Sequence, residues 1–113
     1  MKNLSQLNEL VSILVDSLRN LDKREKLLKE FERKINKIWE NDKNAFEDNV
    51  DEVLNDFVCD LAYYQPNPIL RVGNKELVDN DKMEKEIKTV LEKLKRLSVE
   101  IPGIKPGTDK IPV

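Results

Sequence analysis

Four segments of this 113-residue chain carry apolar residues at alternating spacings of three and four, and this periodicity constrains the fold most. Such spacing places the apolar side chains on one face of an α-helix. No segment shows the strict two-residue alternation of a half-buried strand. The pattern therefore predicts an all-α protein, an antiparallel four-helix bundle over residues 1–98, with no second domain. The same stripes would also suit a coiled-coil partner or a homodimer.

Helix ends can be predicted from local residue types. Asp22 followed by Glu25 has the spacing of a capping box and predicts the start of the second helix. Asp79 or Asn80 is expected to cap the fourth. Prolines and glycines predict an extended or disordered C-terminal tail over residues 99–113. The stripes expected in the core are, in chain order, Leu4, Leu7, Val11, Leu14, Leu18 and Leu21; Leu28, Phe31, Ile35 and Ile38; Phe46, Val50, Val53, Leu54, Phe57 and Leu61; and Met83, Ile87, Val90, Leu91, Leu94 and Leu97.

The charge distribution is uneven although 20 basic residues nearly balance 22 acidic ones. Residues 44–70 contain six acids and no base. Four of these acids recur every fourth residue, and we call them the acidic ridge: Asp48, Glu52, Asp56 and Asp60. Like charges four apart on a helix repel by a few tenths of a kcal/mol, roughly, per pair. The ridge is therefore expected either to be a plain solvated face or to serve a basic partner.

The residues that follow the ridge are typical of a protein interface. Tyrosines beside carboxylates, followed by a proline-containing loop, combine anchors with charge. Helix geometry turns Tyr63 toward the acids and Tyr64 toward the apolar side. The predicted partner-binding residues are the acidic ridge together with Tyr63, Tyr64, Gln65, Asn67 and Arg71.

Several function classes lack the residues they need. The chain has no histidine and a single cysteine, Cys59, and it lacks the glycine-rich phosphate-binding motifs. We therefore expect no enzyme activity, no cofactor and no metal site. The basic residues alternate with acids, so direct nucleic-acid binding is not expected. A signal peptide and an apolar run of membrane-spanning length are also lacking, which predicts a cytoplasmic protein without a membrane partner.

The second half of the chain resembles a known family. Over residues 57–97, the order is Asp60, the pair Tyr63 and Tyr64, the loop sequence PNPILR and the closing helix ELVDNDKMEKEIKTVLEKLKRL. This order is similar to that of the colicin D immunity protein family. The resemblance implies a small four-helix bundle that blocks a tRNA-cleaving toxin domain by offering acids to its basic cleft. By position, Asp60 would be the helix-end acid, whereas the family's loop acid is replaced by the uncharged Asn67.

The acidic ridge and the family resemblance together lead to one functional hypothesis. The chain is expected to be an immunity or antitoxin protein that occludes the basic active-site cleft of a cognate toxin domain, with a nuclease as the candidate class. The alternative is a helical adaptor or assembly subunit whose apolar stripes dock against a partner helix.

Overall fold

The computed structural model describes residues 4–97, and four α-helices make up most of this range. The first helix, α1, spans Leu4–Arg19, and a 3-10 turn at Leu21–Lys23 leads into α2, Arg24–Asn41. The other two are α3, Asp48–Leu61, and α4, Asn80–Arg96. Within residues 4–97 no strand forms, and the β-type pairing there is one isolated bridge between Tyr64 and Val78. The all-α prediction is confirmed for these residues, while the predicted tail, 99–113, lies outside them.

The apolar stripes of all four helices meet in one core. Phe31 of α2 packs edge-on against Phe57 of α3, with ring centroids 5.4 Å apart. Leu4 and Leu21, at the two ends of the first stripe, are exposed. The stripe prediction is wrong at Leu4 and at Leu21, because neither side chain is buried. Leu21 also lies beyond the end of α1. Members of the predicted stripes that are buried include Leu7, Val11, Leu14, Leu28, Phe31, Ile35, Phe46, Val50, Leu54, Phe57, Leu61, Met83, Ile87, Val90, Leu91 and Leu94.

The predicted helix starts have different outcomes. Asp79 caps α4, because its side chain accepts a hydrogen bond from the Lys82 backbone N–H at 2.8 Å. The capping box predicted at Asp22 is wrong. Asp22 lies inside the 3-10 turn, and the residue that precedes α2 is Lys23, without a side-chain cap. The third helix starts at Asp48, so Phe46 is buried in the connection before α3 rather than in the helix.

A buried arginine joins three elements at one end of the molecule. The Arg24 side chain is buried, and its Nε–H donates to the Ser17 carbonyl at 2.9 Å. Its terminal nitrogens donate to the carbonyls of Leu18 and Asn80 at 3.4 and 3.3 Å. The bonds to Ser17 and Leu18 satisfy carbonyls near the end of α1, which the helix itself leaves without partners. Arg24 therefore fixes the start of α4 against the junction of α1 and α2.

Within residues 4–97, no helix combines the length and the apolar character that crossing a bilayer requires.

Candidate functional site

All four carboxylates of the acidic ridge lie on the surface. Asp48, Glu52, Asp56 and Asp60 project from α3, whose opposite side carries the core residues Val50, Leu54, Phe57 and Leu61. Cys59 of α3 is exposed as well, and so is Tyr63, which lies two residues beyond the end of the helix. Among residues 4–97, none of the four ridge carboxylates forms an ion pair. The ridge therefore presents unpaired negative charge to solvent.

The two halves of the ridge have different neighbours, because a four-residue spacing advances by about 40° around a helix. Asp48 and Glu52 line a cleft toward the end of α2, where the other charged residues are Asp51 and Lys43. Trp39 also lines this cleft, and its indole N–H donates to Asp51 Oδ1 at 3.0 Å. The cleft at the N-terminal half of the ridge therefore combines two ridge carboxylates and Asp51 with one aromatic side chain and one lysine.

The C-terminal half of the ridge faces α4. Asp56 and Asp60 line a groove of about 280 Å³ between α3 and α4, which three lysines of α4 also line: Lys82, Lys85 and Lys93. The sequence shows no base within the ridge itself, but the fold brings these lysines beside it. Charge repulsion within the ridge is consequently weaker at this end than the sequence alone implies.

A carboxyl pair lies in the same groove. Partial burial of Glu86 on α4, together with a hydrogen bond to the Asp60 carboxyl and repulsion from its charge, raises the pKa of Glu86 to about 7. Lys82 opposes the shift. Near neutral pH, a protonated Glu86 can donate a hydrogen bond to the Asp60 carboxyl group, which holds the pair together.

The two tyrosines differ in role. Tyr63 is 47 % exposed and lies two residues beyond the end of α3. Tyr64 is half-buried, and its hydroxyl donates to Asn80 Oδ1 at 2.5 Å. Burial raises the pKa of the Tyr64 hydroxyl, partly offset by the nearby Arg24 charge, so the hydroxyl stays neutral and remains a donor. Tyr63 is accordingly the tyrosine available to a partner, and Tyr64 fixes the loop to α4.

Residues 62–79, the α3–α4 loop, are held by their own hydrogen bonds. The backbones of Gln65 and Tyr63 pair with that of Val78, with N–O distances of 2.9 and 2.7 Å. Arg71 Nη1 donates to the Gln65 carbonyl at 2.7 Å, and Asn67 Oδ1 accepts from the Ile69 N–H at 2.9 Å. Three predicted site residues, Gln65, Asn67 and Arg71, thus use part of their polar groups to shape the loop.

Sequence reasoning placed the loop in the interface but did not single out its most exposed apolar side chains. Ile69, Leu70 and Val72 are 77, 60 and 81 % exposed, and we call them the apolar loop patch. The signal was present in the loop sequence PNPILRVGN, because these residues belong to none of the four helical stripes. The sequence alone does not show that the loop projects these three side chains into solvent.

The loop also borders a cleft of about 450 Å³ beside α2. Leu70 and Asn67 line it from the loop, and Glu25, Lys29 and Glu32 line it from α2. Lys29 pairs with Glu25, with an N–O distance of 3.5 Å. The cleft therefore carries one net negative charge, so acidic groups flank the loop from α2 as well as from α3.

Within residues 4–97, no group of three or more cysteine, aspartate or glutamate side chains is placed to hold a metal ion. What this surface offers is charge, one exposed tyrosine and a shaped loop. These are the components of a binding surface.

Comparisons with models of protein families, with curated proteins and with solved structures find no match for this chain.

Proposed function

We propose that this chain is an immunity or antitoxin protein, which binds a cognate toxin domain and occludes its basic active-site cleft. The observation that carries the proposal is the exposed acidic ridge, whose four carboxylates form no ion pair among residues 4–97. A nuclease is the candidate class of toxin, because a cleft that binds nucleic-acid phosphates is basic.

The proposed mechanism is steric and electrostatic. Complementary charge accelerates the encounter with a basic cleft, and anchors near the centre of the interface slow dissociation. No catalysis, cofactor or direct nucleic-acid contact is needed. The scaffold that we propose is the antiparallel four-helix bundle, and the proposed place of action is the cytoplasm.

The adaptor alternative has less support. It requires an apolar helical stripe that is free to dock against a partner helix. The stripes of α1–α4 are instead buried against one another in a single core. An adaptor would therefore have to open its own core before binding, whereas the acidic ridge is already exposed.

The test of the proposed function uses any toxin domain that is encoded beside this gene. Asp48→Asn combined with Glu52→Gln removes two ridge charges without enlarging a side chain. We expect this variant to associate with the toxin domain several-fold more slowly, with the difference shrinking as salt is added. Stopped-flow association rates and inhibition of toxin activity measure the effect.

The matched control is Asp16→Asn, which removes an exposed carboxylate from α1 rather than from the ridge. This control should associate as the wild-type protein does. If the ridge variant also associates and inhibits normally, the ridge is not the interface. If the wild-type protein does not bind the toxin domain, the proposed function is wrong.

A further inference from the structure

The apolar loop patch contains the three most exposed large apolar side chains among residues 4–97. Of the six exposed large apolar or aromatic side chains there, Tyr63 and the three patch residues lie within ten positions of one another. Single exposed apolar residues are normal, but a cluster marks an interaction site. Exposing Ile69, Leu70 and Val72 together offers no gain to the fold, because none of them packs in the core.

The loop is ordered by specific contacts. The Tyr64–Val78 bridge closes its base, Arg71 clamps the Gln65 carbonyl, and Asn67 accepts from the N–H of Ile69 itself. Farther on, Asn74 Oδ1 accepts from the Glu76 N–H at 3.1 Å, and Gly73 adopts a φ of +78°. A surface that is already shaped loses less conformational entropy on binding. The loop thus presents its apolar side chains as a prepared anchor.

The charges beside the patch indicate what covers it. Glu25 and Glu32 outnumber Lys29 in the cleft that Leu70 lines, and Asp60 lies one turn before Tyr63. Arg71, between Leu70 and Val72, donates to the Gln65 carbonyl, so acids still exceed bases by one around the patch. An anionic membrane surface attracts basic rather than acidic neighbours. A second copy of this chain would bring like charges together. A protein with an apolar pocket rimmed by lysine or arginine matches both the patch and its surroundings.

We propose that Ile69, Leu70 and Val72 form the apolar anchor of this protein, which inserts into an apolar pocket rimmed by basic side chains on its protein partner. This inference rests on the proposed function and deepens it. The acidic ridge then governs the rate of encounter, and the patch governs the lifetime of the complex. The anchor overlaps the Arg71 end of the loop segment, Gln65 to Arg71, that the sequence predicts to contact the partner.

The test uses the full chain and any toxin domain that is encoded beside this gene, in purified form. The double variant Ile69→Ser and Val72→Ser should dissociate at least about tenfold faster than the wild-type protein, with an association rate within about twofold. The ratio of the dissociation rates should not change with salt, because loss of apolar contact is not screened. Surface plasmon resonance at low and high salt gives both rates.

The matched control is Leu4→Ser, which removes an exposed leucine at the start of α1. The Arg24 contacts lie at the opposite end of that helix. It should leave both rates unchanged. All variants should keep the helical circular dichroism spectrum and melting temperature of the wild-type protein, since the substituted patch residues are exposed. An unchanged dissociation rate for the double variant overturns the inference while leaving the proposed function intact.

Failure of the wild-type protein to bind the toxin domain would instead remove the proposed function, and two further assays then decide the role of the patch. Sedimentation tests self-association, and co-flotation with phosphatidylglycerol vesicles tests membrane binding. If the wild-type protein self-associates or binds vesicles and the double variant does not, a second copy or a lipid surface covers the patch. The inference is then overturned. If wild-type and variant proteins behave alike in all three assays, the inference is overturned as well.

Discussion

At the scale of single residues, Glu86 should make folding stability depend on pH. Its pKa rises from the ordinary 4.5 to about 7 in the folded protein, so between these values the folded state holds a proton that the unfolded state releases. The resulting stabilisation is fully present below pH 4.5 and is lost as pH rises through 7. In the Glu86→Gln variant, the free energy of unfolding should therefore fall less between pH 4.5 and 7 than in the wild-type protein. At pH 8 the variant should be the more stable of the two.

Urea denaturation at a series of pH values measures this effect. Glu84→Gln is the matched control, since Glu84 pairs with Lys88 on the same helix rather than with Asp60. The control should keep the wild-type dependence on pH. A Glu86→Gln variant whose stability still falls between pH 4.5 and 7 would show that another group causes the dependence.

Arg24 is the second residue whose environment leads to a prediction. Arg24→Leu should lower the free energy of unfolding by about 3 kcal/mol, because it leaves the Ser17 and Leu18 carbonyls without their donor and removes the bond to Asn80 of α4. Chemical denaturation measures the loss. Lys26→Leu, at an exposed position of the same helix, should change stability by less than about 0.5 kcal/mol. Equal effects of the two substitutions would contradict a structural role for Arg24.

The burial of Arg24 could not be predicted from the sequence. In the chain it is one of eight basic residues between positions 22 and 43. Its burial depends on where three chain segments meet, and the local pattern does not contain this information. The Asp22 capping box failed for a related reason, because the 3-10 turn that presents Arg24 to the α1 carbonyls occupies the place of the cap.

At the scale of elements, periodicity was sufficient to predict all four helices. Along α4, the spacing correctly predicts the buried residues Met83, Ile87, Leu91 and Leu94. Asp79, one of the two predicted capping residues, caps that helix. What one helix presents to another could not be predicted in this way. The lysines that line the groove beside Asp56 and Asp60 belong to α4, and only the packing of α3 on α4 brings them there.

This packing gives opposite expectations for two charge reversals on α3. Glu52→Lys places a base among Asp48 and Asp51, where only Lys43 opposes it, so stability should stay equal or rise slightly. Asp56→Lys places a fourth lysine in the groove with Lys82, Lys85 and Lys93, so stability should fall. We expect the two variants to differ by about 0.5 kcal/mol in urea denaturation, since exposed charges have small effects.

High salt provides the control for this pair, because screening should bring the two variants together. If the lysines of α4 had no effect, both substitutions would relieve the repulsion within the acidic ridge equally. Equal stabilities at low salt would therefore mean that the lysines of α4 do not act on Asp56 in solution.

At the scale of the whole molecule, one core that includes side chains from α1–α4 predicts cooperative unfolding. Circular dichroism should show a predominantly helical protein that melts in a single transition. Since the helical stripes are buried against one another, a homodimer through these stripes is not expected. The melting temperature should then be the same over about a hundredfold range of protein concentration, because unfolding of a monomer does not depend on concentration. A melting temperature that rises with concentration would mean that a second copy covers an apolar surface, with the apolar loop patch the first candidate, and Ile69→Ser with Val72→Ser would then abolish the rise.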